Sequence, residues 1–285
     1  MSKHLIKVFI NIFAFLAISV SVKVMAAQMV TDSFETGDLS HSENGFSWGQ
    51  SESISVSTTF PRTGKYSLKF TFPASSPGKD SFSEQRFDLG SEYSEITVQY
   101  YIYYPNGSEG IGPKYAQRLG ESPDNNKFIR LWGNSPRTDP STSSIQVGAS
   151  MWPRVGYSHI GAEYKSTYNG SPVLDMDRHG IPLASLVDSS TVGTWIKVKY
   201  HAKAATSANN DGVLQIWIND ELRTDIQNLA IYPGDGYLNG FTGGYLLGWS
   251  NTGFDSTTNI YIDDIVIFTG PENPRSDPPF VTNVK

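Results

Sequence analysis

The chain has 285 residues, 22 of them basic and 28 acidic, and a formal net charge of −6 at pH 7. This acidic balance argues against nucleic acid as a partner, although a local basic groove could still hold an anionic polymer. Because there is no cysteine, a thiol nucleophile and a cysteine-ligated zinc site are both excluded.

The first 26 residues have the pattern of a secretory signal peptide. Lys3 and Lys7 precede an apolar run at 8–22, and the small residue Ala26 ends the segment. The apolar run is shorter than the roughly 20 residues that span a bilayer, so we expect cleavage after Ala26 rather than the alternative, a transmembrane anchor. The sequence therefore predicts a secreted or periplasmic protein that has no membrane association after cleavage.

Residues 27–270 are predicted to form a single β-sandwich domain. Segments rich in β-branched and aromatic residues alternate with turn residues, and no amphipathic helix of ordinary length separates them. This arrangement indicates an all-β fold, an antiparallel sandwich or barrel. The predicted strands, in chain order, are 53–57, 66–72, 82–89, 95–104, 127–132, 144–152, 195–202, 213–218, 244–249 and 259–268.

The segments between these strands are predicted from their turn residues. Polar segments rich in Gly and Pro at 105–126 and 153–191 are expected to be long loops. Asn219 and Asp220 are expected to form a two-residue hairpin turn after the strand at 213–218. Residues 271–285 contain four prolines and are predicted to be an extended or disordered tail.

Alternation along a strand predicts which side chains leave the core. In 95–104 the more apolar set, Ile96, Val98, Tyr100 and Ile102, should face inward, and Gln99, Tyr101 and Tyr103 should face outward. In 127–132 the core should receive Ile129 and Leu131, while Phe128, Arg130 and Trp132 should face outward. In 195–202 the outward set includes Lys199 and His201.

The outward sets place aromatic residues beside cations and amides, a combination that suits a sugar ring bearing a carboxylate or sulfate. β-Elimination from a uronate needs a group that neutralises the carboxylate, together with a base and an acid. We predict the catalytic residues His201, Tyr101, Tyr103 and Arg130. We predict the substrate-binding residues Glu84, Arg86, Gln99, Lys127, Phe128, Trp132, Lys199 and Trp217. For His201 the alternative is a hydrogen-bonded surface residue.

We expect one concave face to carry Arg130, Trp132, Tyr101, Tyr103, Lys199 and His201. The sequence has no G-x-S-x-G, H-E-x-x-H, Walker or dinucleotide-binding motif. We therefore expect no organic cofactor, and we expect a polysaccharide, anionic in character, as the partner.

Three stretches resemble a known group of proteins. They are Phe34–Asp38 with Arg62–Phe70, then Gly193–Val198 continuing through Asp211–Asp220, and finally Tyr261–Ile267. Together they resemble the concanavalin-A-like jelly-roll polysaccharide lyases of the heparin-lyase and glucuronan-lyase types, with some similarity to extracellular carbohydrate-binding jelly rolls. The resemblance implies a lyase acting on an acidic glycan. The alternatives are a non-catalytic carbohydrate-binding protein and a structural exported protein.

The same resemblance implies one structural calcium between the first and last strands. The matching ligands would be Glu35 and either Asp263 or Asp264, whose carboxylate oxygens suit a hard cation. The alternative is that these acids cap or solvate the ends of strands.

Overall fold

The computed structural model describes residues 27–106, 126–133, 145–154, 157–166, 171–175, 184–188, 190–206, 210–232, 240–251 and 253–270. The predicted signal peptide, the proline-rich tail and nearly all of the predicted loop at 105–126 lie outside these ranges. None of the described ranges holds a helix of the length and apolarity that crossing a bilayer requires.

The described residues form sixteen strands. In chain order they are β1 (Gln28–Asp32), β2 (Ser51–Glu52), β3 (Ile54–Ser57), β4 (Ser67–Phe72), β5 (Ser81–Tyr93), β6 (Glu95–Tyr103), β7 (Asn126–Gly133), β8 (Ile145–Arg154), β9 (Tyr157–Ser166), β10 (Ser171–Asp175), β11 (Ala184–Asp188), β12 (Trp195–Lys203), β13 (Gly212–Ile218), β14 (Glu221–Leu229), β15 (Phe241–Ser250) and β16 (Thr258–Phe268).

These strands make two antiparallel sheets. The first sheet has the order β14-β13-β12-β6-β16-β4-β3, and β1 also pairs with β16. The second sheet has the order β10-β9-β8-β7-β15-β5-β2, and β11 also pairs with β9. Some neighbours are consecutive strands, such as β12, β13 and β14, but others come from distant parts of the chain, such as β6 with β16 and β5 with β15. The chain therefore crosses between the two sheets instead of forming a simple series of hairpins. The predicted antiparallel β-sandwich of the jelly-roll type is confirmed.

The core lies between the sheets and contains apolar side chains from both. In β6 the inward residues are Ile96, Val98, Tyr100 and Ile102, as the alternation predicts. The ring of Tyr100 contacts that of Phe128 from the opposite sheet, with ring centroids 5.8 Å apart. Burial of such side chains is the main force that holds the two sheets together.

The hairpin between β13 and β14 also follows the prediction. Asn219 and Asp220 have φ values of 50° and 66°, which is the conformation of a type I′ turn. The Asn219 side-chain oxygen accepts a 2.9 Å hydrogen bond from the backbone N–H of Lys197 on β12. The turn is thereby tied to the neighbouring strand.

The prediction that 153–191 is a long loop is wrong. It contains β9, β10 and β11, and β9 pairs with β8 along the whole of Tyr157–Ser166. Polar and small residues suggested a loop, but strand pairing depends on backbone groups that every non-proline residue carries.

Candidate functional site

Each sheet has an outer face, the side that points away from the shared core. On the outer face of the second sheet, Arg86 of β5 lies opposite Tyr245 of β15, and Tyr245 lies opposite Arg130 of β7. Neighbouring strands are about 4.8 Å apart, so the Tyr245 side chain leaves the sheet between those of Arg86 and Arg130. We call these three residues the arginine–tyrosine row.

Trp132 extends this row towards one end of the sheet. It lies two residues from Arg130 on β7, and its ring contacts that of Tyr245 with centroids 5.8 Å apart. Gly243 lies opposite Trp132 and adds no side chain to the face. Trp132 is 1% exposed and Tyr245 is 5% exposed, so the two rings form a buried aromatic contact at the end of the row.

Arg130 is held in position by β8. Its Nη2 donates a 3.2 Å hydrogen bond to the Ser150 hydroxyl. Gly148 lies opposite it, and a Cβ atom at Gly148 would overlap the Arg130 side chain. Because Gly148 has no side chain, the Arg130 guanidinium has room to lie against β8.

Glu84 supports the row from β5. Its Oε1 accepts a hydrogen bond and ion pair from Arg86 Nε, whereas its buried Oε2 has no hydrogen-bond partner among the residues that the structure describes. Burial raises the pKa of Glu84, and the bond from Arg86 only partly opposes this effect. The ion pair fixes Arg86 beside Tyr245.

The burial of these charges is the clearest sign that the face has a function. Glu84 is 3% exposed and Arg130 is 4% exposed. Removing a charge from water is costly unless it is paired, and proteins keep such arrangements most often where chemistry requires them. Guanidinium groups can bind a carboxylate, and a phenol can exchange a proton.

The prediction that one face carries all the proposed catalytic residues is wrong. Arg130 and Trp132 lie on the second sheet, whereas Tyr101, Tyr103, Lys199 and His201 lie on the first. Each of the two sets points away from the core on its own side of the sandwich. Alternation identifies the outward residues of a strand, but it does not show which sheet the strand joins.

His201 is hydrogen-bonded through both ring nitrogens, as in the alternative, but it is buried rather than exposed at the surface. Its Nδ1 lies 2.9 Å from Gln215 Oε1 and its Nε2 lies 2.9 Å from Glu95 Oε1. The bond from His201 lowers the pKa of Glu95. Both ring nitrogens are engaged, and His201 is only 3% exposed.

The other predicted residues of the first sheet also contact one another there. The Lys199 ammonium lies 3.8 Å from the centre of the Trp217 ring, and Gln99 lies opposite Lys199 on β6. The Arg62 guanidinium lies 3.3 Å from the centre of the Tyr101 ring. Tyr103 packs against Trp195 with ring centroids 5.3 Å apart, and burial raises the pKa of Tyr103.

The predicted outward orientation of Phe128 is wrong. It is a core side chain, not an outward one. The register of β7 against β8 shifts between Lys127 and Ile129, so an extra residue interrupts the alternation, as a β-bulge does. Arg130 and Trp132 keep the predicted outward orientation, and Phe128 fills the space between the sheets. Lys127, for which no orientation was predicted, lies opposite Ser150 on the outer face.

The predicted calcium ligands accept hydrogen bonds from backbone N–H groups. Glu35 accepts them from Lys65 and Tyr66, and Asp263 accepts them from Arg62 and Thr63. The described residues contain no group of three or more His, Cys, Asp or Glu that could hold a metal ion. These contacts fit the turn-capping alternative, and the calcium stays an untested prediction.

Tyr245 is the residue that the sequence analysis missed. The strand at 244–249 was predicted, but its glycines at 244 and 248 hide the alternation that would have assigned its faces. The only signal was a single tyrosine between Gly244 and Leu246.

The family model described as "Polysaccharide lyase" matches residues 34–266. No curated protein matches the chain. Among solved structures, the alginate lyase Aly36B in complex with an alginate trisaccharide has a TM-score of 0.58 at 14% identity, covering 87% of this chain and 98% of that one.

Two further solved structures have the same fold. A marine PL-14 alginate lyase from Aplysia kurodai has a TM-score of 0.56 at 14% identity, covering 86% of this chain and 100% of that one. The alginate lyase vAL-1 from a Chlorella virus has a TM-score of 0.56 at 11% identity, with the same coverage. The structural likeness shows the fold, and the family match over 34–266 shows that this chain belongs to the polysaccharide lyase family.

Proposed function

We propose that the protein is an exported lyase that cleaves an acidic, uronate-containing polysaccharide by β-elimination, at the outer face of the second sheet. The observation that carries this proposal is the arginine–tyrosine row, in which Tyr245 lies between Arg86 and Arg130. Family membership supports a polysaccharide as the substrate, and the two guanidinium groups favour an anionic one.

The row can supply the groups that β-elimination requires. Arg130 or Arg86 pairs with the uronate carboxylate and withdraws charge from it, which acidifies the proton on C5. A base removes that proton, and its electron pair forms the C4–C5 double bond as the C4–O bond breaks. The departing oxygen takes up a proton. We assign both proton transfers to the Tyr245 oxygen: in its ionised form it takes the proton from C5, and the phenol so formed gives that proton to the departing oxygen. Tyr245 is chosen because its strand position lies between the two groups that would hold the carboxylate.

Glu84 and Trp132 are assigned supporting roles. The ion pair from Glu84 holds the orientation of Arg86, so that less conformational freedom is lost when the carboxylate binds. Trp132 packs on Tyr245 and holds the position of its ring. Both residues act by positioning other groups.

The test is the ultraviolet absorbance of the unsaturated uronate while the protein spanning 27–285 is mixed with alginate, glucuronan, pectate, heparin and ulvan-type polymers. Tyr245→Phe removes one hydroxyl from the row, and Tyr103→Phe removes one from the outer face of the opposite sheet. We expect Tyr245→Phe to lower kcat by about 100- to 10,000-fold, the usual contribution of a proton-transfer group. Tyr103→Phe should retain the wild-type rate.

Equal losses in the two tyrosine variants, or no loss in either, would overturn the assignment of the site. Arg130→Ala should also lower kcat/KM, because the carboxylate loses a cation at the reacting centre. If absorbance stays flat on every polymer while the protein is retarded in a polysaccharide-containing gel, the non-catalytic carbohydrate-binding alternative is correct.

Export is a separate part of the proposal and has its own test. The sequence 1–26 predicts cleavage after Ala26, so a chain expressed from Met1 should be recovered outside the cytoplasm with Ala27 at its amino terminus. Mass spectrometry of the recovered protein measures this directly. Recovery of the intact chain from the cytoplasm would contradict it.

A further inference from the structure

Trp249 is the most exposed aromatic side chain among the large hydrophobic residues that the structure describes. It lies on β15 and is 45% exposed. Its ring contacts that of Phe82 on β5, with centroids 4.6 Å apart and planes tilted by 45°. A second aromatic ring supports Trp249 from one side, and the exposed part of the Trp249 ring is free to stack on a sugar ring.

This aromatic pair lies on the same face as the arginine–tyrosine row. Phe82, Glu84 and Arg86 alternate along β5 with Ser83, Gln85 and Phe87, and Phe87 belongs to the core. Phe82 therefore points to the same side as Arg86. Trp249 is four residues from Tyr245, which places it about 13 Å further along the face.

A glycine separates Tyr245 from Trp249 on β15. Gly248 lies there with a φ of 112°, and a Cβ atom at this position would approach the Tyr245 ring at 3.0 Å and the Glu84 carboxylate at 3.2 Å. Only glycine fits this conformation readily, and the Tyr245 ring and the Glu84 carboxylate pack directly against the backbone here. No side chain of Gly248 therefore separates the arginine–tyrosine row from Trp249.

A cation lies on the other side of Trp249. The pairing of β15 with β7 is irregular between Leu246 and Ser250, and Ser250 lies opposite Asn126. Lys127, the next residue of β7, is therefore at a strand position close to that of Trp249. Lys127 lies opposite Ser150, which also belongs to the outer face. An aromatic platform with a cation beside it offers stacking to the apolar face of a sugar ring and charge to its carboxylate.

We propose that Phe82, Trp249 and Lys127 form a distal subsite that holds a uronate residue of the glycan at a distance from the bond being broken. This inference rests on the proposed function, because it takes the glycan to run along the face past Tyr245. The distal subsite binds substrate and takes no part in proton transfer. It sets a preference for long chains, since only a chain that extends past Gly248 can reach it.

The experiment measures kcat and KM for the variants Trp249→Ala and Leu222→Ala. Two substrates are used: the polymer that the wild type cleaves best and the shortest oligosaccharide that it still cleaves. Leu222 is a matched control because it is 43% exposed and lies on β14 of the other sheet. We expect Trp249→Ala to raise KM for the polymer by about 2- to 12-fold, the range for one aromatic contact. Its kcat, and its KM for the short oligosaccharide, should not change.

Trp249→Phe should recover part of the loss, because a smaller ring remains. An unchanged KM for the polymer, or equal rises on both substrates, would overturn the distal subsite while leaving the lyase proposal intact. If the wild type cleaves nothing, the lyase proposal fails, and the subsite is judged by gel retardation alone. Loss of retardation in Trp249→Ala but not in Leu222→Ala would support it, and equal retardation in the two variants would refute it.

Discussion

Arg62 forms a buried ion pair that should contribute strongly to stability. Its guanidinium pairs with the carboxylate of Asp264, and the two side chains are 1% and 4% exposed. The same guanidinium lies over the Tyr101 ring. Replacing Arg62 with Met fills most of the volume but leaves the Asp264 carboxylate buried without its cation.

The expected cost follows from that burial. Breaking a buried ion pair by removing one partner costs about 3–5 kcal/mol, and the lost contact with Tyr101 adds to it. Urea denaturation should therefore show the free energy of unfolding of Arg62→Met falling by about 3–5 kcal/mol, with an unchanged m-value. Arg223→Met is the matched control. The Arg223–Glu221 pair is largely exposed, and its loss should cost less than about 1 kcal/mol.

A double variant separates the charge from the packing. Adding Asp264→Asn to Arg62→Met removes the unpaired charge, and asparagine tolerates the φ of 48° at this position. We expect the double variant to be more stable than Arg62→Met alone. The reasoning is refuted if Arg62→Met costs no more than Arg223→Met, or if the double variant is the least stable of the three.

Three further predictions concern stability. Burial raises the pKa of Asp263 from 3.8 to about 8 and that of Asp32 from 3.8 to about 6. The folded state therefore holds protons that the unfolded chain has released, and the melting temperature should fall as pH rises from about 4 to about 8; a rise over that window would contradict this. Gly64→Ala should lower the melting temperature more than Gly45→Ala, because both have positive φ but only at Gly64 would the new Cβ overlap the Glu35 carboxylate; calorimetry that ranks them equally would refute the capping role of Glu35. Because the Glu35 and Asp263 carboxylates accept hydrogen bonds from backbone N–H groups, a chelator should leave the melting temperature unchanged, and a clear drop would support the calcium prediction.

The sequence predicted individual strands better than their arrangement. The inward set of β6 was correct because strict alternation of apolar and polar residues reflects a regular strand with one buried face. In β7 the same alternation predicted the wrong face for Phe128, because a β-bulge cannot be recognised from the order of apolar and polar residues. Strand periodicity is a local signal, and it ends where irregular pairing begins.

The candidate site shows the same limit on a larger scale. Arg130 and His201 were both correctly placed on outward faces, yet they lie on different sheets. Which sheet a strand joins is decided by pairings between residues far apart in the chain, such as Tyr245 of β15 with Arg130 of β7. No single segment contains that information, so the row of three residues could only be seen once the strands were paired.

The position of β16 has a consequence for how the chain folds. β16 lies inside the first sheet between β6 and β4 and also pairs with β1. These three partners come from the first 103 residues of the chain, whereas β16 begins at Thr258. During synthesis, β1, β4 and β6 therefore cannot pair with β16 until Thr258–Phe268 has been made. These pairings close long loops of the chain, which is slow. The nascent chain should stay unfolded until almost all of it has been made, which is the state that a translocation channel accepts.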